Sequence, residues 1–153
     1  MAQSKEIISA IENREAFLDV LKNNPGLIVI KLGAEWCGPC KKINHLVHGF
    51  FVSSPPEVLC ADLDVDECTD LYSFLKQKKM VNGIPAILLY KKGNRSYIPD
   101  DSVTGANPPD LHAFFTRAGN YHANIVKQVR AQDTKVKEYI KLAASNNNII
   151  NKR

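Results

Sequence analysis

Apolar and polar positions follow different rhythms along the chain, and each change of rhythm marks an element. KEIISAI, residues 5–11, is short and isoleucine-rich and is expected to form a first strand. In NREAFLDVLKNN the spacing of Phe17, Leu18 and Leu21 is helical, Asn13 stands where an N-cap is needed, and NNPG stops the helix. LIVIKLGA, from Leu27, is a nearly unbroken β-branched apolar run, the pattern of a strand covered on both faces. CGPC follows directly and opens a helix expected over residues 37–51.

After the turn SSPPE, VLCADLDV predicts a third strand, and DECTDLYSFLKQKKM a helix with Leu71, Phe74 and Leu75 on one side. IPAILLYKKGNRSYIP predicts two strands joined at KKGN, and LHAFFTRAG a helix that Gly119 terminates. The order βαβαβαββα is that of an α/β fold, a mixed sheet with helices on both faces. Residues 120–153 differ in character. Ile125, Val129, Val136, Ile140 and Ala143 share one helical stripe, interrupted near Gln132 and Asp133, and Lys127, Arg130, Lys135, Lys137 and Lys141 surround it. Two segments are therefore expected: a domain over 1–119 and a basic amphipathic helical extension over 120–153, with a frayed asparagine-rich end, SNNNIINKR.

At 153 residues, 44% apolar and 24% charged, the chain has the make-up of one globular core. A net charge of +4 suits an acidic protein surface and falls short of the basic patches nucleic-acid binding requires. The first ten residues, MAQSKEIISA, lack the apolar core of a secretory signal, and no apolar run approaches the ~20 residues of a membrane helix, so a cytoplasmic location is expected. Thiols are kept reduced there, so a close cysteine pair points to catalysis or metal binding rather than to a structural framework. A zinc set of Cys37, Cys40, Cys60 and Cys68 has only loosely finger-like spacing, and Cys60 sits in an apolar strand. His45, His48, His112 and His122 form no ligand or triad spacing.

Several motifs in one order carry a family resemblance. AEWCGPCKKI, NGIPAILLYKKG and TGA together make residues 5–119 resemble thioredoxin, and LDVDEC resembles its eukaryotic members. The resemblance implies a thioredoxin fold: a central five-stranded sheet, order 1-3-2-4-5, flanked by four helices. It also implies a redox-active Cys37–Cys40 disulfide, with no metal and no bound cofactor. Cys37, at a helix start, is expected to be the nucleophile, because free backbone N–H groups and the helix dipole favour its thiolate. Cys40, one turn on, is expected to resolve the mixed disulfide. Gly38 and Pro39 would set the geometry of the pair, with Pro39 fixing φ where its missing N–H costs little. By the same resemblance Trp36 flanks the nucleophile, Ile84–Pro85 is a cis bond whose backbone pairs with substrate, and Gly105 leaves room along that groove.

Lys31 departs from the family pattern. Thioredoxins usually carry a buried aspartate there, and a lysine buried without a partner is costly. Asp62 on the neighbouring strand is expected to face it as a charge-swapped pair, with Asp62 supplying the carboxylate for proton transfer. A cation near the thiols favours thiolates and makes a weaker reductant. The functional expectation is a protein-disulfide reductase that acts on disulfide-bearing proteins and is regenerated by thioredoxin reductase. The alternative is a thioredoxin-fold scaffold that docks an acidic protein surface, such as a cytoskeletal polymer, through its C-terminal helix.

Overall fold

The computed structural model describes residues 4–151. The elements run β1 (Ile7–Ile8), α1 (Arg14–Lys22), β2 (Leu27–Gly33), α2 (Gly38–Ser53), β3 (Val58–Asp64), α3 (Thr69–Gln77), β4 (Ala86–Lys91), β5 (Asp101–Thr104) and α4 (Pro108–Asn151). The strands make one sheet in the order β1-β3-β2-β4-β5. Pairing is parallel from β1 through β3 to β2, and antiparallel from β2 through β4 to β5. This is the thioredoxin fold expected from the resemblance, with its mixed sheet and four helices, the last of them long.

β2 lies at the centre, and all seven of its residues are buried. Its side chains alternate between faces. Ile28, Ile30 and Leu32 join Phe17 and Leu21 of α1 and Leu71 and Leu75 of α3 in one apolar cluster. Leu27, Val29, Lys31 and Gly33 therefore turn to the other face, where a Cβ on Gly33 would meet Cys40 Sγ of α2 at 3.4 Å. The β2 register sets Lys31 opposite Asp62 of β3. At the entry to β2, the buried Asn24 side chain donates to the Tyr90 carbonyl at 3.1 Å and accepts the Gly26 N–H at 2.9 Å, which ties the NNPG turn to β4.

Two expectations are corrected. The strand expected just after KKGN is a loop, and β5 begins only at Asp101. The Asn94 side chain folds the intervening residues by donating to the Ile98 carbonyl at 2.9 Å and accepting the Ser96 N–H at 2.9 Å. Tyr97 is apolar for a different reason than strand pairing: its ring stacks on Phe17 with centroids 5.6 Å apart, and its carbonyl accepts the Tyr90 hydroxyl.

The second correction concerns Gly119, which does not end a helix; α4 continues through it and on through Gln132 and Asp133, where only the apolar stripe is interrupted. Gly119 in a helix costs about 1 kcal/mol relative to alanine. Side chains on that turn offset it: Arg117 and Tyr121 both bond the Asp101 carboxylate, at 2.7 Å and 2.9 Å, and His122 meets Glu57 at 3.1 Å. The frayed end expected over residues 145–153 is helical as far as Asn151, and Lys152 and Arg153 lie outside the described residues. The chain divides into two compact units, the first ending at His122 and the second starting at Ala123. No helix among the described residues is long and apolar enough to cross a membrane.

Candidate active site

Cys37 is the N-cap of α2, with φ −85° and ψ 107°, and its Sγ accepts the Cys40 backbone N–H at 3.2 Å. Gly38 and Pro39 form the first helical positions, where no intrahelical partner awaits an N–H. Cys37 and Cys40 are joined by a disulfide with Cα atoms 5.2 Å apart, and both are buried. Trp36 is 70% exposed, yet its ring is fixed, because its indole N–H donates to the Asp66 carboxylate at 2.7 Å.

Ile84–Pro85 is a cis peptide. Gly105 has φ +96°, a left-handed conformation that glycine adopts without a Cβ clash, and its N–H donates to the Pro85 carbonyl at 2.8 Å. Ile84, Pro85 and Gly105 thus share one corner between β4 and β5.

A cleft of about 530 Å³ lies beside the disulfide, lined in part by Lys31, Gly33, Cys40, Asn44 and Asp62. Lys31 is 4% exposed. Its Nζ donates to Asn44 Oδ1 on α2 and stands 3.6 Å from Asp62 Oδ1, whose side chain is half exposed. The cation is therefore buried with partners, which removes the penalty an isolated charge would carry. Sequence reasoning paired Lys31 with Asp62 and missed Asn44, Gly33 and Asp66. For Asn44 a signal existed, since residue 44 lies one turn beyond Cys40 and shares its helix face.

The other two cysteines stand apart from this site. Cys60 is buried in β3 with its Sγ 3.4 Å from Ser54 Oγ, and burial pushes its thiol up. Cys68, buried at the start of α3, is pushed up to about 11, first by burial and then by Asp64, Glu67 and Asp66. Among the described residues no group of three or more His, Cys, Asp or Glu is arranged to hold a metal ion, so the four cysteines do not assemble as a zinc set. His45, His48 and His112 are exposed.

A dithiol at the N-terminus of a helix on this sheet defines the thioredoxin-fold class of CxxC proteins. Comparison with known proteins agrees. The Thioredoxin family model matches residues 8–117. Mouse thioredoxin is 32% identical over 111 residues, spanning 72% of this chain and 97% of its own length. Horse thioredoxin is 33% identical, over 70% of this chain and 94% of that protein. Against Thioredoxin-2 of Pyricularia oryzae the identity is 31%, over 74% of this chain and 60% of that protein's length. Among solved structures, Trichomonas vaginalis thioredoxin has a TM-score of 0.60 at 25% identity, covering 74% of this chain and 98% of its own. Malassezia sympodialis thioredoxin has a TM-score of 0.54 at 28% identity, covering 76% and 97%. The chain belongs to the thioredoxin family.

Proposed function

We propose that the protein is a thiol–disulfide oxidoreductase that reduces protein disulfides. The observation that carries this reading is the Cys37–Cys40 disulfide at the first turn of α2. In the reduced protein the Cys37 thiolate attacks one sulfur of a substrate disulfide and expels the other as a thiolate, which takes up a proton. Cys40 then loses its proton and attacks Cys37 Sγ. The mixed disulfide breaks, the second substrate thiol leaves, and the Cys37–Cys40 disulfide remains. Two electrons have passed from protein to substrate. Regeneration falls to a thioredoxin reductase, and the cytoplasm, where thiols are kept reduced, is the setting in which such a cycle runs. Trp36, Ile84, Pro85 and Gly105 form the substrate-facing surface in this reading.

Lys31 tunes the chemistry. A buried cation beside the dithiol favours thiolate over disulfide and makes the protein a weaker reductant than a member with an aspartate there. Asp62, half exposed and 3.6 Å from Lys31, is the carboxylate that relays the Cys40 proton to solvent. An Asp62→Asn variant that turns over like the parent would remove that role. The reaction itself is tested by trapping: Cys40→Ser should accumulate a mixed disulfide through Cys37 when offered a disulfide-bearing protein. The Cys37→Ser, Cys40→Ser double variant should not, and trapping by that double variant would overturn the reading.

A second reading is favoured by the extension. Val129, Val136, Tyr139 and Ile140 are exposed on one side of α4, with Lys127, Arg130, Lys137 and Lys141 opposite. Such a face fits an acidic protein surface. Co-sedimentation with an acidic cytoskeletal polymer, lost on Val136→Asp with Ile140→Asp, would support docking; no co-sedimentation of the parent would reject it.

A further inference from the structure

In the cleft beside Cys40, Asn44 is the α2 residue that holds the Lys31 ammonium, and its position is specific. Lys31 rises from β2 on the face that α2 covers, and a lysine stem has four rotatable bonds with which to leave it. Asp62, in register on β3, is half exposed, so it offers the ammonium a route outward toward water. Asn44 Oδ1 accepts from the same Nζ on the other side, from the helix that carries Cys40. The point a Gly33 Cβ would occupy lies 3.4 Å from Cys40 Sγ and 3.6 Å from Lys31 Cε, which confines the sulfur and the end of the lysine stem to within about 7 Å of each other. A Cβ at that point would sit in van der Waals contact with both side chains.

We infer that Asn44 is a positioning residue for the dithiol: it anchors the Lys31 ammonium beneath Cys40 and through it stabilises the reduced form. The inference rests on the dithiol reading above and adds a residue to it. Asn44 is suited to the task because its amide oxygen holds the cation without cancelling its charge, as a carboxylate in the same place would. The sign of the effect depends on that placement. Glu35, Asp62, Asp64 and Glu67 line the same cleft and on their own would disfavour a thiolate, so the cation helps Cys40 only while it is held close. Freed from Asn44, the lysine swings toward Asp62 and its field at Cys40 falls.

The test is the equilibrium of the full-length protein with glutathione redox buffers, read by thiol alkylation and mass shift, in a double-mutant cycle. Lys31→Met should make the dithiol about tenfold more reducing, a midpoint lower by about 30 mV. Asn44→Ala should move it about threefold in the same direction. In the Lys31→Met background Asn44→Ala should move nothing further. Asn44 is exposed on α2 and alanine is the stronger helix former, so this variant folds. A merely structural role would change thermal stability and leave the midpoint alone; that result, or an Asn44→Ala shift of equal size in both backgrounds, would overturn the inference. The midpoint is measured whether or not protein disulfides are reduced. Failure of the trapping experiment therefore counts against the reductase reading alone, and an unmoved midpoint with intact trapping counts against Asn44 alone.

Discussion

Cys37, Cys60 and Cys68 are the same residue type in three environments, and the environments separate their chemistry. Burial and three nearby carboxylates push the Cys68 thiol up to about 11, so at pH 7 only about one molecule in ten thousand carries its thiolate. Cys60 is buried and pushed in the same direction. Iodoacetamide given to the native, reduced protein at pH 7 is therefore expected to label the CGPC site and leave Cys60 and Cys68 unmodified until denaturant is added; peptide mapping checks it. The CGPC pair was legible because the signal is local, two cysteines at the start of a helix after a buried strand. Lys31 was legible as an anomaly, a charge inside an apolar run. Spacing puts Asn44 on the Cys40 face of α2 but does not say that Lys31 lies against it, and for Gly33 and Asp66 no spacing within the chain states which helix and loop pack over β2.

Among the elements, the central strand and the three helices before β4 could be read from apolar rhythm, since each is bounded by Pro, Gly or Asn and buries a periodic face. The β4–β5 connection could not. A strand and a core-covering loop both ask for apolar residues, and Tyr97 is apolar because it covers Phe17 and Phe74. Phe17, fully buried beneath it and edge-on to Tyr90, should cost about 3–5 kcal/mol when replaced by alanine, measured by urea unfolding. Local propensity divides α4 at Gly119, whereas bonds to Asp101 and Glu57 hold that turn helical. A Cβ at Gly119 would meet nothing within 4 Å, so Gly119→Ala should stabilise the protein by roughly 0.5–1 kcal/mol, visible as a higher Tm.

Acid sensitivity belongs to the whole molecule. Burial pushes the Asp101 carboxyl up, but hydrogen bonds from Arg117 and Tyr121 and from the Ser102 N–H outweigh it and hold the group below its ordinary 3.8. A carboxyl with a folded-state pKa below its unfolded value adds stability above that unfolded value. The contribution falls away as pH drops through 3.8 toward the folded pKa. The parent should therefore lose stability on acidification below about pH 4 more steeply than Asp101→Asn, with the two curves converging there; chemical denaturation at a series of pH values reads this directly.

That same fold holds the Cys37–Cys40 pair at the first turn of α2. The most direct measurement is the reduction of insulin disulfides by the full-length protein with dithiothreitol as electron donor, followed by turbidity. Catalysed precipitation is expected with the parent, and only the dithiothreitol background with Cys37→Ser. Equal rates for the two proteins would contradict it.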